Sequence, residues 1–223
     1  MNSDGVKAGA VKTDLKKTLP SYAVRHGRFG IIDVPPMRYL AADAEGAPDG
    51  ASFAGALAAL FPLAYALKFA SKRVKGRDYV VPPLEALWWA DDPAAFTSGE
   101  KSAWHSTALI LLPEWITDEH VEAARETVAR KVSAGKEHEG SPPPPDLARV
   151  RVQVLEEGRC AQTLHVGPFS TEGPVIEELH ATLEAAGLAL AGRHHEIYLS
   201  DFRRVAPEKL RTILRQPGSV RGA

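Results

Sequence analysis

The chain has 223 residues, with 27 Lys and Arg against 28 Asp and Glu and a formal net charge of -1. Hydrophobic residues make up 44% and charged residues 25%, which excludes a disordered or fibrous chain, and the lack of a basic excess argues against direct nucleic-acid binding. A single cysteine, Cys160, excludes an internal disulfide and a Cys-rich zinc site; it reads as core filling in a reducing, cytoplasmic setting.

Residues 1–10 are small and polar without periodicity, and read as a disordered leader. No segment approaches the ~20 apolar residues of a membrane span, so no membrane partner is expected. From Phe29 to Val34 and from Met37 to Asp43 the sequence reads as a strand interrupted by Pro35-Pro36, because proline cannot donate to a ladder. Phe53, Leu57, Leu60, Ala64 and Leu67 then recur at spacings of three and four, the apolar stripe of a helix. Phe61, Tyr65, Lys68 and Phe69 form a second, adjacent face, so cover on more than one side is expected. Pro62 removes one hydrogen bond and is expected to kink or restart this helix.

Strands follow at Leu84 to Asp92 and at Ser106 to Leu112, the latter stopped by Pro113. Thr117 opens an amphipathic connector helix (117–133) with Val121, Ala124, Val128 and Val132 on its apolar face. The proline-rich loop 135–146 comes next, stiffened by Ser141-Pro142-Pro143-Pro144-Pro145. Beyond it, Val150 to Leu155 and Arg159 to Val166 read as a hairpin across Glu157-Gly158. Thr171 is read as the cap of a helix carrying Ile176, Leu179, Leu183 and Ala186 and ended by Gly187. Strands at His194 to Ser200 and Arg211 to Gln216 complete the fold, with 218–223 as a tail.

The element order is the same in residues 28–116 and 147–217: strand, helix, strand, strand. This predicts an α+β fold of duplicated β-α-β-β modules related by a pseudo-twofold axis, in one domain spanning 11–217. Period two puts Glu85, Leu87 and Trp89 on one strand face and Glu196, Tyr198 and Ser200 on another. Packed about that axis, the strands are expected to flank a shared cleft with two carboxylates and several rings, suited to a flat, cationic aromatic molecule. Trp88 and Trp89 cannot share a face, so one is assigned to the core and the other to the pocket. Tyr65 and Trp104 are further candidates for its lining. His194 and His195 point oppositely on one strand, so no metal site is expected; His165 and Cys160 also face apart, which argues against thiol catalysis.

His165-Val166-Gly167-Pro168-Phe169, a helix, and then His194-His195-Glu196-Ile197-Tyr198-Leu199-Ser200-Asp201 resemble the GyrI-like small-molecule-binding domain family. The resemblance extends over 11–217, through Ala64-Tyr65-Ala66-Leu67-Lys68-Phe69, Asp78-Tyr79-Val80-Val81-Pro82 and Pro83-Leu84-Glu85-Ala86-Leu87-Trp88-Trp89. It is nearest to the stand-alone branch that includes cyclopropanoid hydrolases. The resemblance implies a concave antiparallel sheet with helices on one side and a central ligand cleft, in which Glu196 matches a buried glutamate that faces cationic aromatic drugs.

It also implies water addition to a cyclopropane, with Glu196 orienting or deprotonating water and Tyr79 or Tyr198 donating to the conjugated carbonyl. Tyr65, Phe69, Glu85, Trp88, Trp89, Trp104, Phe169 and Tyr198 would then bind the ligand, with no cofactor. The chain departs from the family pattern at Pro62, at Ser141 to Pro145, and at Phe169, where tyrosine is common. Sequestration without turnover, an effector-sensing module, and contact with DNA gyrase, the least favoured, are the competing readings. No oligomeric state follows from the sequence.

Overall fold

The computed structural model describes residues 12–92, 95, 99–134 and 145–220. The expected leader at 1–10 and residues 135–144 of the proline-rich loop lie outside them. The helices are α1 (Leu15–Thr18), α2 (Ala51–Lys75), α3 (Asp118–Ala134) and α4 (Gly173–Ala185). The strands are β1 (Gly30–Val34), β2 (Met37–Glu45), β3 (Leu84–Ala90), β4 (Trp104–Leu111), β5 (Arg151–Leu155), β6 (Gly158–Val166), β7 (Leu188–Leu190), β8 (His194–Tyr198) and β9 (Arg211–Val220).

The strands pair antiparallel in the order β1-β6-β9-β8-β3-β4-β2-β5, with β7 added to the end of β9. Strands β3 and β8 therefore meet at the centre. The expected hairpin between β5 and β6 does not form: β5 pairs with β2, and β6 lies between β1 and β9. Only two residues link β1 to β2, and two link β5 to β6, yet each pair is far apart in the sheet order. A link of three Cα steps spans at most about 11 Å. The sheet must therefore curl until its edges approach, giving an α+β half-barrel.

On one face of the sheet, α2 packs over β2 and β4, and α4 over β6, β7 and β9. The predicted stripe of α2 is its buried face: Phe53, Leu57, Leu60, Ala64 and Leu67 are all at most 8% exposed. Fully burying one such leucine contributes about 1.5–3 kcal/mol, so this stripe anchors the helix. Its second stripe is only partly covered: Phe61 packs against the core, while Tyr65 and Phe69 are 48% and 51% exposed. By length and composition α2 is apolar enough to cross a membrane, which corrects the expectation that no segment reaches that length; here it is a core helix of the sheet. Nor does Pro62 end it, since helix runs unbroken to Lys75 and closes at Gly76, whose φ of 65° suits a residue without Cβ.

Helix α3 lies against α2 through Val121, Ala124 and Val128, while Val132, expected on that face, is 38% exposed. The cap position of α4 is Glu172 rather than Thr171, which ends a short 3-10 turn (Phe169–Thr171). Strand β9 continues through Pro217 to Val220 by pairing with β7, so 218–220 are strand and not tail. A Cβ at Gly218 would lie 2.8 Å from a Leu183 methyl group, so glycine there lets β9 pass close under α4. The opposite face of the sheet is covered by the N-terminal segment: Leu15, Leu19 and Tyr22 pack onto Tyr39, Leu87, Leu109, Ile197 and Ile213.

Candidate functional site

Residues paired directly across antiparallel strands share a face. Ala86 faces Glu196, Trp88 faces His194, Glu196 faces Leu214 and Tyr198 faces Thr212. Glu196 and Tyr198 therefore lie on the helix side of the central strands, between α2 and α4. Trp88 Nε1 donates to the Tyr198 hydroxyl at 3.0 Å, and that hydroxyl donates to Glu196 Oε2 at 2.7 Å. His194 Nε2 stands 3.8 Å from Glu196 Oε1, and each side chain is 15% exposed.

Burial raises the Glu196 carboxyl to about 7, against the opposing effects of the Tyr198 hydrogen bond and the His195 charge. Burial first, and then the neighbouring Glu196, raises the Tyr198 phenol. His194 is held well below its ordinary range by burial and by the nearby His180 and His195.

Aromatic rings surround this relay. Tyr198, Phe169 and Phe202 meet edge to face with centroids 5.6–6.0 Å apart, and Phe53 and Trp104 flank Trp88 at 5.3 and 6.1 Å. Tyr198 opens onto a cavity of about 220 Å³ whose walls include Leu57, Phe61, Tyr65, Pro82 and Phe202. An adjoining groove of about 600 Å³ shares Leu57, Phe61, Tyr65, Phe202 and Arg203 and extends to Phe53 and Pro62. The Arg203 guanidinium, paired with Asp201, lies 5.7 Å from the Phe61 ring and lines both.

Of the residues expected in one site, Glu196, Tyr198, Trp88, Trp104, Phe169 and Tyr65 gather here. Phe69 stacks on Tyr65 one turn further along α2 but lines neither cavity. Tyr79 is 2% exposed, in the same core cluster as Trp88 and Tyr198 but packed edge-on against Trp115. It too lines neither cavity.

Two expectations are corrected. Glu85 faces Ile197 in the β3–β8 register, which turns it to the opposite side of the sheet from Glu196, so the two do not share a cleft. It is 1% exposed, accepts a hydrogen bond from the Tyr22 hydroxyl, and pairs with His195 Nε2 at 3.0 Å. His195 Nδ1 lies 2.8 Å from Glu157, which also pairs with Arg215 at 2.7 Å, and Arg215 holds the Ser21 carbonyl. Burial disfavours charge in this network, yet Glu157 and Glu85 together hold His195 raised, and His195 and Arg215 hold Glu157 lowered. It fastens the N-terminal segment to the sheet. Trp89 shares that reverse face, stacked on His105 and under the Arg193 guanidinium, 3.3 Å from its centroid.

Sequence reasoning passed over Phe61, Phe202 and Arg203 as lining residues. Phe61 lay in the recognised second stripe of α2, a signal that could have found it. Phe202 sits in a loop, where no periodicity marks it. Among the described residues no cluster of His, Cys, Asp and Glu is arranged to hold a metal ion.

Residues 116–217 match the model of the GyrI-like small molecule binding domain. Three solved structures from Listeria innocua are similar over 93% of this chain and all of their own. One is an uncharacterized conserved protein, 38% identical with a TM-score of 0.82; two are hydrolases, each 36% identical, with TM-scores of 0.78 and 0.80. The EcmrR C-terminal domain, 12% identical over 86% of this chain and 98% of its own with a TM-score of 0.51, shares the fold. No curated protein matches.

Proposed function

Since this chain belongs to the GyrI-like small-molecule-binding domain family, we propose that it takes up amphipathic aromatic xenobiotics between α2 and the segment 198–203 and hydrolyses reactive, cyclopropane-bearing ones. The observation that carries this reading is the relay from Trp88 through Tyr198 to Glu196, opening at Tyr198 onto an aromatic-walled groove. Flat rings stack on Phe61, Tyr65 and Phe202, and the hydrolase relatives favour turnover over binding alone.

In the proposed reaction, water attacks the unsubstituted cyclopropane carbon while its proton passes to the Tyr198 oxygen and the Tyr198 proton to Glu196. The strained C–C bond breaks, its electron pair moves into the conjugated ring system, the resulting oxyanion takes a proton from solvent, and Glu196 returns its proton to solvent through Tyr198. The net change is addition of one water. A base poised near neutrality suits this step, and strain leaves mainly positioning to the protein.

Tyr198 is the preferred tyrosine because it meets both the groove and Glu196. Mass-spectrometric turnover of a duocarmycin-type cyclopropane compound tests the reading. Wild type is expected to make many equivalents of ring-opened product, Tyr198→Phe to lose at least about a hundredfold, and Tyr79→Phe to retain activity. Tight binding without product would leave a sequestering protein, a reading favoured by the fact that Tyr198, not Glu196, lines the cavity.

A further inference from the structure

The two cavities beside Tyr198 differ in size and share part of their walls. The inner one, about 220 Å³, meets Tyr198 and residues 81–84; the outer groove, about 600 Å³, extends to Phe53 and Pro62 and is not lined by Tyr198. Residues that line both border the junction between them. These are Leu57, Phe61 and Tyr65 on α2, and Phe202 and Arg203 on the loop after β8.

The loop side of this junction is braced. The Phe202 ring meets Tyr198 and Phe169 edge to face, with centroids 5.6 and 6.0 Å away, and Asp201 grips the Arg203 guanidinium through Nε at 3.0 Å and Nη2 at 3.2 Å. That guanidinium lies 5.7 Å from the Phe61 ring, so loop and helix approach each other at the junction. A ring packed against two others does not turn aside without losing those contacts. Volume then decides what reaches Tyr198. An apolar cavity of about 150 Å³ holds one benzene molecule, and on that scale about 220 Å³ has room for a two-ring system but not for a four-ring one. The outer groove falls within the roughly 300–1,000 Å³ of sites that take drug-sized molecules.

We propose that Phe202 is the specificity-determining residue of the cleft, a size filter that admits one bicyclic aromatic unit to Tyr198 and keeps wider ring systems in the outer groove. The inference rests on the ligand cleft proposed above and adds the shape of its ligand. That ligand has a narrow two-ring head, presented to the relay, joined to a second flat unit that lies along Phe53 and Pro62. A single broad polycycle binds but is held away from Tyr198.

Two compounds test this: 1-naphthol, with two fused rings, and 1-pyrenol, with four. Calorimetry measures their binding, and intermolecular NOEs to ¹³C-labelled Tyr and Phe rings, with Tyr198 identified by its loss in Tyr198→Phe, show where each lies. In the wild type both should bind, 1-naphthol with NOEs to Tyr198 and 1-pyrenol with NOEs to Phe53 and none to Tyr198. In Phe202→Ala, 1-pyrenol should gain NOEs to Tyr198. In Phe202→Trp, 1-naphthol should lose them, because the larger ring overfills the junction, while continued binding of 1-pyrenol shows that the variant is folded. Three results would overturn the filter and leave the cleft standing: 1-pyrenol touching Tyr198 in the wild type, 1-naphthol bound without touching it, or contacts indifferent to both Phe202 variants. Binding of neither compound would refute the cleft, and the filter with it.

Discussion

His195 and Glu196 are consecutive on β8 and serve opposite faces of the sheet, the first in a closed ion network and the second in the relay with Tyr198 on the helix side. His195 titrates at about 9 in the folded protein against an ordinary 6.5, because Glu157 and Glu85 outweigh the penalty of burial. Its contribution to stability is therefore complete below pH 6.5 and is lost as pH rises through about 9. Thermal melts across this window should show a falling midpoint in wild type and a flatter profile in His195→Gln. Parallel profiles would contradict the assignment. At this scale the sequence was legible where period two sufficed: Glu196 and Tyr198 do share a face. The face of Glu85 was not, because it depends on the register between β3 and β8, which tertiary pairing sets.

Helix α2 supplies one wall of the cleft and was legible from its stripe, yet Pro62 did not break it. Burial along that stripe, from Phe53 through Leu60 to Leu67, outweighs the lost hydrogen bond. A proline in a helix interior costs about 3 kcal/mol relative to alanine. Pro62→Ala should accordingly raise unfolding stability by about 1–3 kcal/mol in urea titration; no gain would mean that the helix has adapted to the proline at no cost. The apparent β5–β6 hairpin misled because Glu157-Gly158 resembles a tight turn, while the true partners are distant in sequence. Phe202 reaches the cavity wall from a loop, a segment whose direction only the packed sheet determines.

Across the whole molecule, the curled sheet separates two polar clusters with different tasks. The reverse side buries Glu85, Glu157, His195 and Arg215 at 8% exposure or less beneath the N-terminal segment. The helix side leaves Tyr198 and Glu196 beneath aromatic rings and an open groove. The alternating pattern and element order made the α+β sheet legible in advance, whereas the division of the two glutamates between its faces was not.

The most direct test of this account measures turnover of the cyclopropane substrate and urea stability together, in Glu196→Gln and Glu85→Gln. Glu196→Gln should keep wild-type stability and lose product formation at least about a hundredfold. Glu85→Gln should lose about 1–3 kcal/mol, as expected for a disrupted buried network, while its folded fraction turns over substrate normally. The reverse pattern, activity lost with Glu85 and stability lost with Glu196, would contradict the account.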